Sequence, residues 1–397
     1  MKKGRVQQLR GMPRFGMPRG MGRVGRCGTA LWRTLGVSFF VLVGVLVCTG
    51  CHHGVLSLRG GGAADLLVGY EEADGYVVLT TPEVRAVVQS DTDATLVFST
   101  LRNGSPLVLE HPGRAVDRAS DRSADRLLTG LSGPVGLFPG DWQVLAATAT
   151  HHKIQRDMRL EGVGPGADFA LTIQREIRLL GRHALSGYLA GTLAADLEVG
   201  GYESRTHFTN PGPLPWPAGS GLPYIRIESD LWRNADVVWF LNVQPGLQAL
   251  WEGQTGLRYV VHESALVGVH AEPSAARIVV PLDLVLPRMA LLDREQGVLT
   301  LIAYTPPLGL AVTRDAGVMR PDPEIVLSAV EGGQRWFRVA TSGAAFPLAT
   351  GGSNRHHRQT FHVRGTPDAL VQIGAAFCRL PLEDVHDLLA VLDEVAE

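Results

Sequence analysis

From residue 75 onward, apolar and polar positions alternate in short runs instead of recurring at helical spacing. "GYVVLTT" (75–81), "VRAVVQS" (84–90), "ATLVFST" (94–100), "LRYVVH" (257–262), "ARIVVPLDLVL" (276–286), "VLTLIAY" (298–304) and "RQTFHVRG" (358–365) are such runs, separated by Gly, Pro, Asn and Asp. Successive side chains of a strand point to opposite faces, so each run reads as a strand with one face toward a core. Their number predicts an all-β chain, a large antiparallel β-sandwich or supersandwich, with 47 glycines and 24 prolines to make its turns. "DVVWFLN" (236–242) is nearly continuous in apolar residues, as a central strand buried on both faces would be. One segment follows the other period. "LEDVHDLLAVLDEVAE" places Val385, Leu388, Leu389, Leu392 and Val395 or Ala396 at i, i+3, i+4, i+7 spacing. It predicts a short C-terminal helix over 382–396, its stripe on the sheet and its acidic face in water. No period of 20–50 residues repeats, which argues against propellers and solenoids.

The amino end obeys different rules. The first 50 residues hold nine Lys or Arg and no Asp or Glu, and an apolar run spans Leu35 to Val47. As a helix that run reaches about 20 Å, short of the roughly 30 Å of bilayer hydrocarbon. A basic region, a short apolar region and then Thr49, Gly50 and Cys51 describe an export signal. The arrangement resembles a bacterial lipobox, in which the cysteine after the cut is acylated, although Cys48 stands where Leu is usual. The resemblance implies a signal peptide over 1–50, acylation of Cys51, and a Gly-rich tether over 51–67. A single β-domain would occupy 68–397. The expected partner at this end is a lipid bilayer, and the expected location is the bacterial cell envelope. His52 in place of the Asp usual for inner-membrane retention favours the outer membrane. The basic region is long, and Met21 would give a more ordinary start than Met1.

Composition then narrows the partners. Of 37 basic and 39 acidic side chains, nine basic ones fall in the first 50 residues, leaving a net charge of −11 on residues 51–397. Such a chain offers no basic stripe for nucleic acid. Lys153 is the sole lysine after residue 50. With Cys27 and Cys48 in the signal and Cys51 acylated, Cys378 stands alone. No internal disulfide is available, and stability must come from a core. The apolar "IGAAFCRLP" marks Cys378 as a buried, inert thiol.

Candidate chemistry gathers in "SRTHFTNPGPLPWPAGSGLPYIRIESDLWRNADVVWFLN" (204–242). Its five prolines hold an extended loop. Trp216, Trp232, Trp239 and Trp251 fall in or beside it. Trp239 reads as core. Trp216 and Trp232 are candidate platforms for a sugar ring, with Tyr224, Arg226 and Glu228 as polar neighbours. "THFTNPGPLPWPAGSGLPY", "DATLVFSTLRNGSPLVLEHPG" (93–113) and "FPLATGGSNRHHRQTFHVRG" (346–365) resemble segments of galactose mutarotase-like proteins, the aldose 1-epimerase-related β-supersandwich superfamily. The resemblance implies that fold and, in its enzymes, a His acid and a Glu base that open and close a sugar ring. Leu222 stands where the family His would precede Pro-Tyr, and leucine cannot transfer a proton. His207, His262 (beside Glu263) and Glu324 (or Glu331) are the replacement candidates. No cofactor and no metal are expected. His151-His152 and His356-His357 are adjacent pairs, and His356 and His362 would share a strand face but lie about 20 Å apart, too far for one metal. His270 and Glu272 could ligate one only with partners from elsewhere, and "DTD" (91–93) reads as a turn. "VDRASDRSADR" (116–126) reads as a solvated helix or charged loop. No GxSxG, HExxH, Walker or GxGxxG motif is present. The sequence therefore favours a lipid-anchored β-sandwich that binds a carbohydrate or another envelope component without turning it over. A mutarotase-type epimerase, or an assembly protein that docks a protein partner, is the alternative.

Overall fold

The computed structural model describes residues 76–89, 96–101, 106–109, 136–139, 142–161, 169–189, 191, 193–215, 226–233, 237–243, 250–252, 257–262, 265–270, 276–279, 285–305, 324–329, 335–342 and 348–394, and these belong to one compact unit. The segments 1–67 and 116–126, with Cys51, Trp216 and Tyr224, lie outside the described residues.

The chain opens with a four-stranded meander: β1 (Tyr76–Thr80), β2 (Val84–Gln89), β3 (Leu96–Leu101) and β4 (Pro106–Leu109). Next come β5 (Gly136–Pro139), β6 (Gln143–Thr148), β7 (His151–Glu161), β8 (Phe169–Leu180), a short helix α1 (Arg182–Ser186) and β9 (Glu198–Thr209). The central part holds β10 (Arg226–Arg233), β11 (Val237–Val243), β12 (Leu250–Glu252), β13 (Leu257–His262), β14 (Ala265–His270) and β15 (Ala276–Val279). The last strands are β16 (Val285–Asp293), β17 (Val298–Tyr304), β18 (Glu324–Ala329), β19 (Arg335–Ser342) and β20 (Ser353–Arg364). Helices α2 (Pro367–Cys378) and α3 (Leu382–Glu394) close the described chain.

Every pairing is antiparallel, and the fold is all-β with helices at its carboxyl end. An eleven-stranded sheet runs β13-β14-β11-β16-β17-β20-β9-β8-β7-β5, with β6 also on β7. A five-stranded sheet runs β10-β19-β18-β15-β12. The large sheet buries both faces along much of its length. Its inner face packs Trp239, Met289, Leu291, Ile302 and Tyr202 against Leu79, Val84 and Val88 of the meander and Val339 of the five-stranded sheet. On its outer face Phe240, Leu292, Leu301, Phe361 and Val363 pack under α2 and α3. This double burial explains why β11 and β17 are apolar at nearly every position. Trp239 is core, as its sequence context predicts.

The C-terminal helix forms as the spacing predicts, with Val385, Leu388 and Leu392 buried. Helix α2 is an addition that the alternation-based reading passes over. Thr366 precedes Pro367 at its first turn, where a missing N–H costs nothing, and Asp368 complements the helix dipole. Its face Leu370, Ile373, Gly374 and Phe377 lies on the sheet, and Gly374 lets the backbone approach the Phe240 ring. Cys378, fully buried, points its thiol at the Phe240 carbonyl, and burial pushes its pKa far upward. That is the inert environment its sequence implies. Among the described residues no helix is long and apolar enough to cross a membrane.

Candidate functional site

Two adjacent strands, β9 and β20, break the apolar pattern on both faces over part of their length, and the neighbouring β7 and β8 are polar on their outer face with His152 and Arg175 buried on the inner one. β9 reads Glu203-Ser204-Arg205-Thr206-His207, and β20 reads Ser353 to Thr360 without an apolar residue. Side chains alternate, so these two stretches of β9 and β20 supply an oily face to neither side.

On the inner face the register sets Arg175 beside Thr206 and Thr206 beside His356. One step along the strands, Ser204 lies beside Arg358, and Arg358 beside Tyr304 of β17. Thr360 follows next to Tyr202, while His152 enters from β7 opposite Ile177. All are buried, most of them to 2% exposure or less. The five-stranded sheet contributes Thr341, whose hydroxyl shares a hydrogen bond of 3.1 Å with Nε2 of His356, and the buried Ser229. His362, further along β20, shares a bond of 3.1 Å with Thr300.

A buried polar group normally has a partner. Here both ring nitrogens of His152, Nδ1 of His356 and the hydroxyls of Ser204, Thr206, Ser229, Tyr304 and Thr360 have no protein hydrogen-bond partner. Each such group costs about 1–3 kcal/mol if left dry. Together they would consume a free energy comparable to the roughly 5–15 kcal/mol that holds a domain folded. These atoms are closed off from solvent in this structure, so water or a ligand can meet them only where the two sheets part. Both histidines are held neutral. Burial, then the charges of Arg358 and His357, depresses His356 to about 3, and burial, then His151, lowers His152. Burial raises the Tyr304 phenol far above its ordinary value, so it stays a donor. The set comprises neutral imidazoles, which give one hydrogen bond and take another, and hydroxyls that do both.

The outer face of the same strands is also polar and is open to water. It forms four cross-strand rows: His151–Arg178–Glu203–Gln359, Lys153–Glu176–Arg205–His357, Gln155–Gln174–His207–Arg355 and Asp157–Thr172–Thr209–Ser353. The row beyond Gln359 is Leu180–Gly201–Phe361, where the apolar cover begins. At that boundary Glu203, with a side chain 4% exposed, accepts hydrogen bonds from His357 Nε2, from Arg205 Nη2 at 2.9 Å and from Gln359 Nε2 at 3.2 Å. The Tyr188 hydroxyl donates to Gln359 Oε1. Burial alone would raise the Glu203 carboxyl. The bonds and charges of His357 and Arg205 outweigh it and hold the group at about 2. Arg288 stacks on the Tyr188 ring and donates to the Phe377 carbonyl at 3.1 Å, fastening this corner to α2.

The sequence candidates are dispersed. His207 points to the outer face, its pKa lowered by burial and then by Arg355 and Lys153. His262 ends β13 on the edge of the large sheet, at the far end from β7. Arg226, Glu228 and Trp232 lie along β10 of the five-stranded sheet, and Glu324 opens β18 there. Glu228 and Glu324 are register partners of the same residue, Ala340, from its two sides, and Trp232 is the partner of Trp336. The structure thus brings Glu228 and Glu324 near each other and sets both apart from His207. His356 and His362 both lie on the inner face and are buried. Among the described residues no group of three or more His, Cys, Asp or Glu is placed to hold a metal ion. The inner-face set was missed because each member is unremarkable alone. Its signal was the run of polar residues in both registers of a strand.

Residues 134–308 match the model of a family of unknown function, DUF6786. The matched stretch carries His152, Ser204, Thr206, Ser229 and Tyr304, whereas His356 and Thr360 follow it. No curated protein matches the chain. Among solved structures the chain is similar to Slr1438 from Synechocystis sp. PCC 6803, at 11% identity and a TM-score of 0.43, covering 73% of this chain and 95% of that one. It is also similar to a proposed mutarotase, YeaD, from Salmonella typhimurium, at 11% identity and a TM-score of 0.36, covering 74% and 92%. A TPR-domain containing protein from Parabacteroides distasonis aligns at 9% identity and a TM-score of 0.40, over 72% of this chain and 46% of that chain.

Proposed function

We propose that the protein is a lipid-anchored envelope protein whose large sheet binds a carbohydrate on its inner face without turning it over. The observation that carries the reading is the set of buried, protein-unpartnered hydroxyls and neutral imidazoles on β7, β9, β17 and β20. Sugar hydroxyls give and take hydrogen bonds at once, as these groups require, and a sugar brings no charge that burial would penalise. Binding is favoured over turnover because acid–base catalysis needs a group that can exchange a proton near neutral pH. His356 at about 3 is neutral there and a weak base. The carboxylate–imidazole pair of this region, Glu203 with His357, lies on the opposite face.

The test is a thermal-shift screen of the full chain against neutral mono- and oligosaccharides. It is repeated on Tyr304→Phe and Thr206→Val, which delete a hydroxyl while keeping the shape. At least one sugar raises the melting temperature of the native chain, and each variant loses most of that rise. If no sugar does so, or if both variants keep the full rise, the inner face is not the site. The anchor is tested separately by detergent phase partitioning. The native chain enters the detergent phase and incorporates labelled fatty acid, and Cys51→Ser does neither.

A second reading rests on the Glu203–His357 contact, which is the acid–base couple that sugar epimerisation uses. It requires anomer exchange by the native chain, followed by NMR, and its loss in Glu203→Gln.

A further inference from the structure

The outer face of β7, β8, β9 and β20 is polar and open to water, and its chemistry is independent of the inner-face reading. Its sixteen positions, four on each strand, contain no apolar side chain. A solvent-facing sheet is expected to be polar, so polarity alone means little. The distribution of its charges means more. The three carboxylates are each engaged within the face: Asp157 accepts from Thr172 at 2.6 Å, Glu176 lies 3.1 Å from His151, and Glu203 is held by Arg205 and His357. Three cations, Lys153, Arg178 and Arg355, have no ion pair among the described residues, although Glu176 and Glu203 are cross-strand neighbours of the first two. The charges of Lys153 and Arg355 also depress the imidazole of His207 between them. This local excess of positive charge sits on a chain whose residues 51–397 carry −11. It includes the sole lysine of that whole stretch.

We infer that this face binds an acidic polysaccharide, a linear glycan bearing carboxylates, laid across the strands. The free cations meet its carboxylates. The hydrogen-bonded Gln155–Gln174 pair and the neighbouring threonines and Ser353 meet its hydroxyls. Neighbouring strands stand about 4.8 Å apart, close to the length of one sugar residue, so successive rings can address successive strands. An anionic bilayer is the competing partner, and the face suits it less. A membrane surface reads net positive charge and takes up apolar side chains. This face has no apolar side chain to insert.

The experiment is affinity electrophoresis of the detergent-solubilised full chain through gels containing polygalacturonate, with dextran gels as the neutral control. The native chain is retarded by polygalacturonate and not by dextran, and the retardation fades as salt screens the cations. The triple variant Lys153→Ala, Arg178→Ala, Arg355→Ala binds at least tenfold more weakly. Arg294→Gln, the same kind of charge loss on another surface, binds as the native chain does. The pair Arg178→Lys with Arg355→Lys keeps the charge and stays within about twofold, and an unchanged melting temperature of the triple variant shows that its loss is not one of folding. Thr206→Val, on the inner face, leaves the retardation unchanged and so separates this surface from the inner site. Absence of retardation, equal retardation by dextran, or an unaltered triple variant overturns the proposal. So does a triple variant that lowers association with vesicles of phosphatidylcholine and phosphatidylglycerol as much as it lowers polygalacturonate binding, because the partner would then be the membrane.

Discussion

Acidification should weaken this fold through His356. His356 is buried in the folded chain and keeps its imidazole neutral down to about pH 3, under burial first and then the charges of Arg358 and His357. In the unfolded chain the same group binds a proton near its ordinary value of 6.5. Between those two values unfolding takes up a proton, so stability rises with pH and is lost as the pH falls from 6.5 toward 3. With these two values, linkage gives a loss of about 3 kcal/mol between pH 7 and pH 4 from this residue. That is a large share of an ordinary domain's stability. The perturbation is His356→Gln, which keeps a donor and an acceptor near Thr341 and cannot titrate. The assay is urea unfolding of native and variant chains at pH 7, 5.5 and 4, comparing midpoints at constant slope. The variant is less stable at pH 7, because its amide packs less well than the ring. Its further loss on going to pH 4 is smaller than the native chain's by about 3 kcal/mol. Should both chains lose the same amount over that interval, His356 is not a buried neutral imidazole and the account of the inner face fails with it.

Three other outcomes test the remaining parts of the structure. Glu203→Gln should lower stability by about 1–2 kcal/mol at pH 7, since His357, Arg205 and Gln359 lose a charged acceptor. The native carboxyl sits at about 2 against an ordinary 4.5, so its contribution is present above pH 4.5 and lost as the pH falls toward 2. Urea midpoints at pH 7 and pH 3 should show the native–variant gap narrowing. Gly201→Ala would put a methyl 2.5 Å from the Thr360 carbonyl oxygen and 2.8 Å from the Phe361 ring. A melting curve should register a cost of about 1–3 kcal/mol, as for an overpacked core. Trp239→Ala should cost about 3–5 kcal/mol by urea unfolding, because a fully buried indole leaves a cavity that the sheets on either side cannot close.

The sequence by itself determined the class of the fold and the composition of its strands. Alternation is a local property, so runs such as 298–304 and 257–262 could be assigned to strands without knowing their neighbours. The near-continuous apolar run at 237–243 likewise announced a strand covered on both sides. The helix over 382–394 was legible from its 3.6-residue stripe. α2 was less so, because its small residues Gly374, Ala375 and Ala376 blur the stripe that marks a helix, and its Thr-Pro-Asp start went unread. Only the tertiary structure decided which polar residues meet. Strand pairing places Ser204 beside Arg358 and Thr206 beside His356 across some 150 residues of chain, a separation no local pattern encodes. It also decided which face each member of a polar run occupies. His356 and His357 are neighbours in sequence. One is sealed between two sheets and kept neutral, while the other reaches a carboxylate at the edge of the solvent-facing surface. Period-two geometry guarantees that adjacent residues part company. Which of them meets a protein partner, and which is left for something else to satisfy, depends on what the rest of the chain packs against each side.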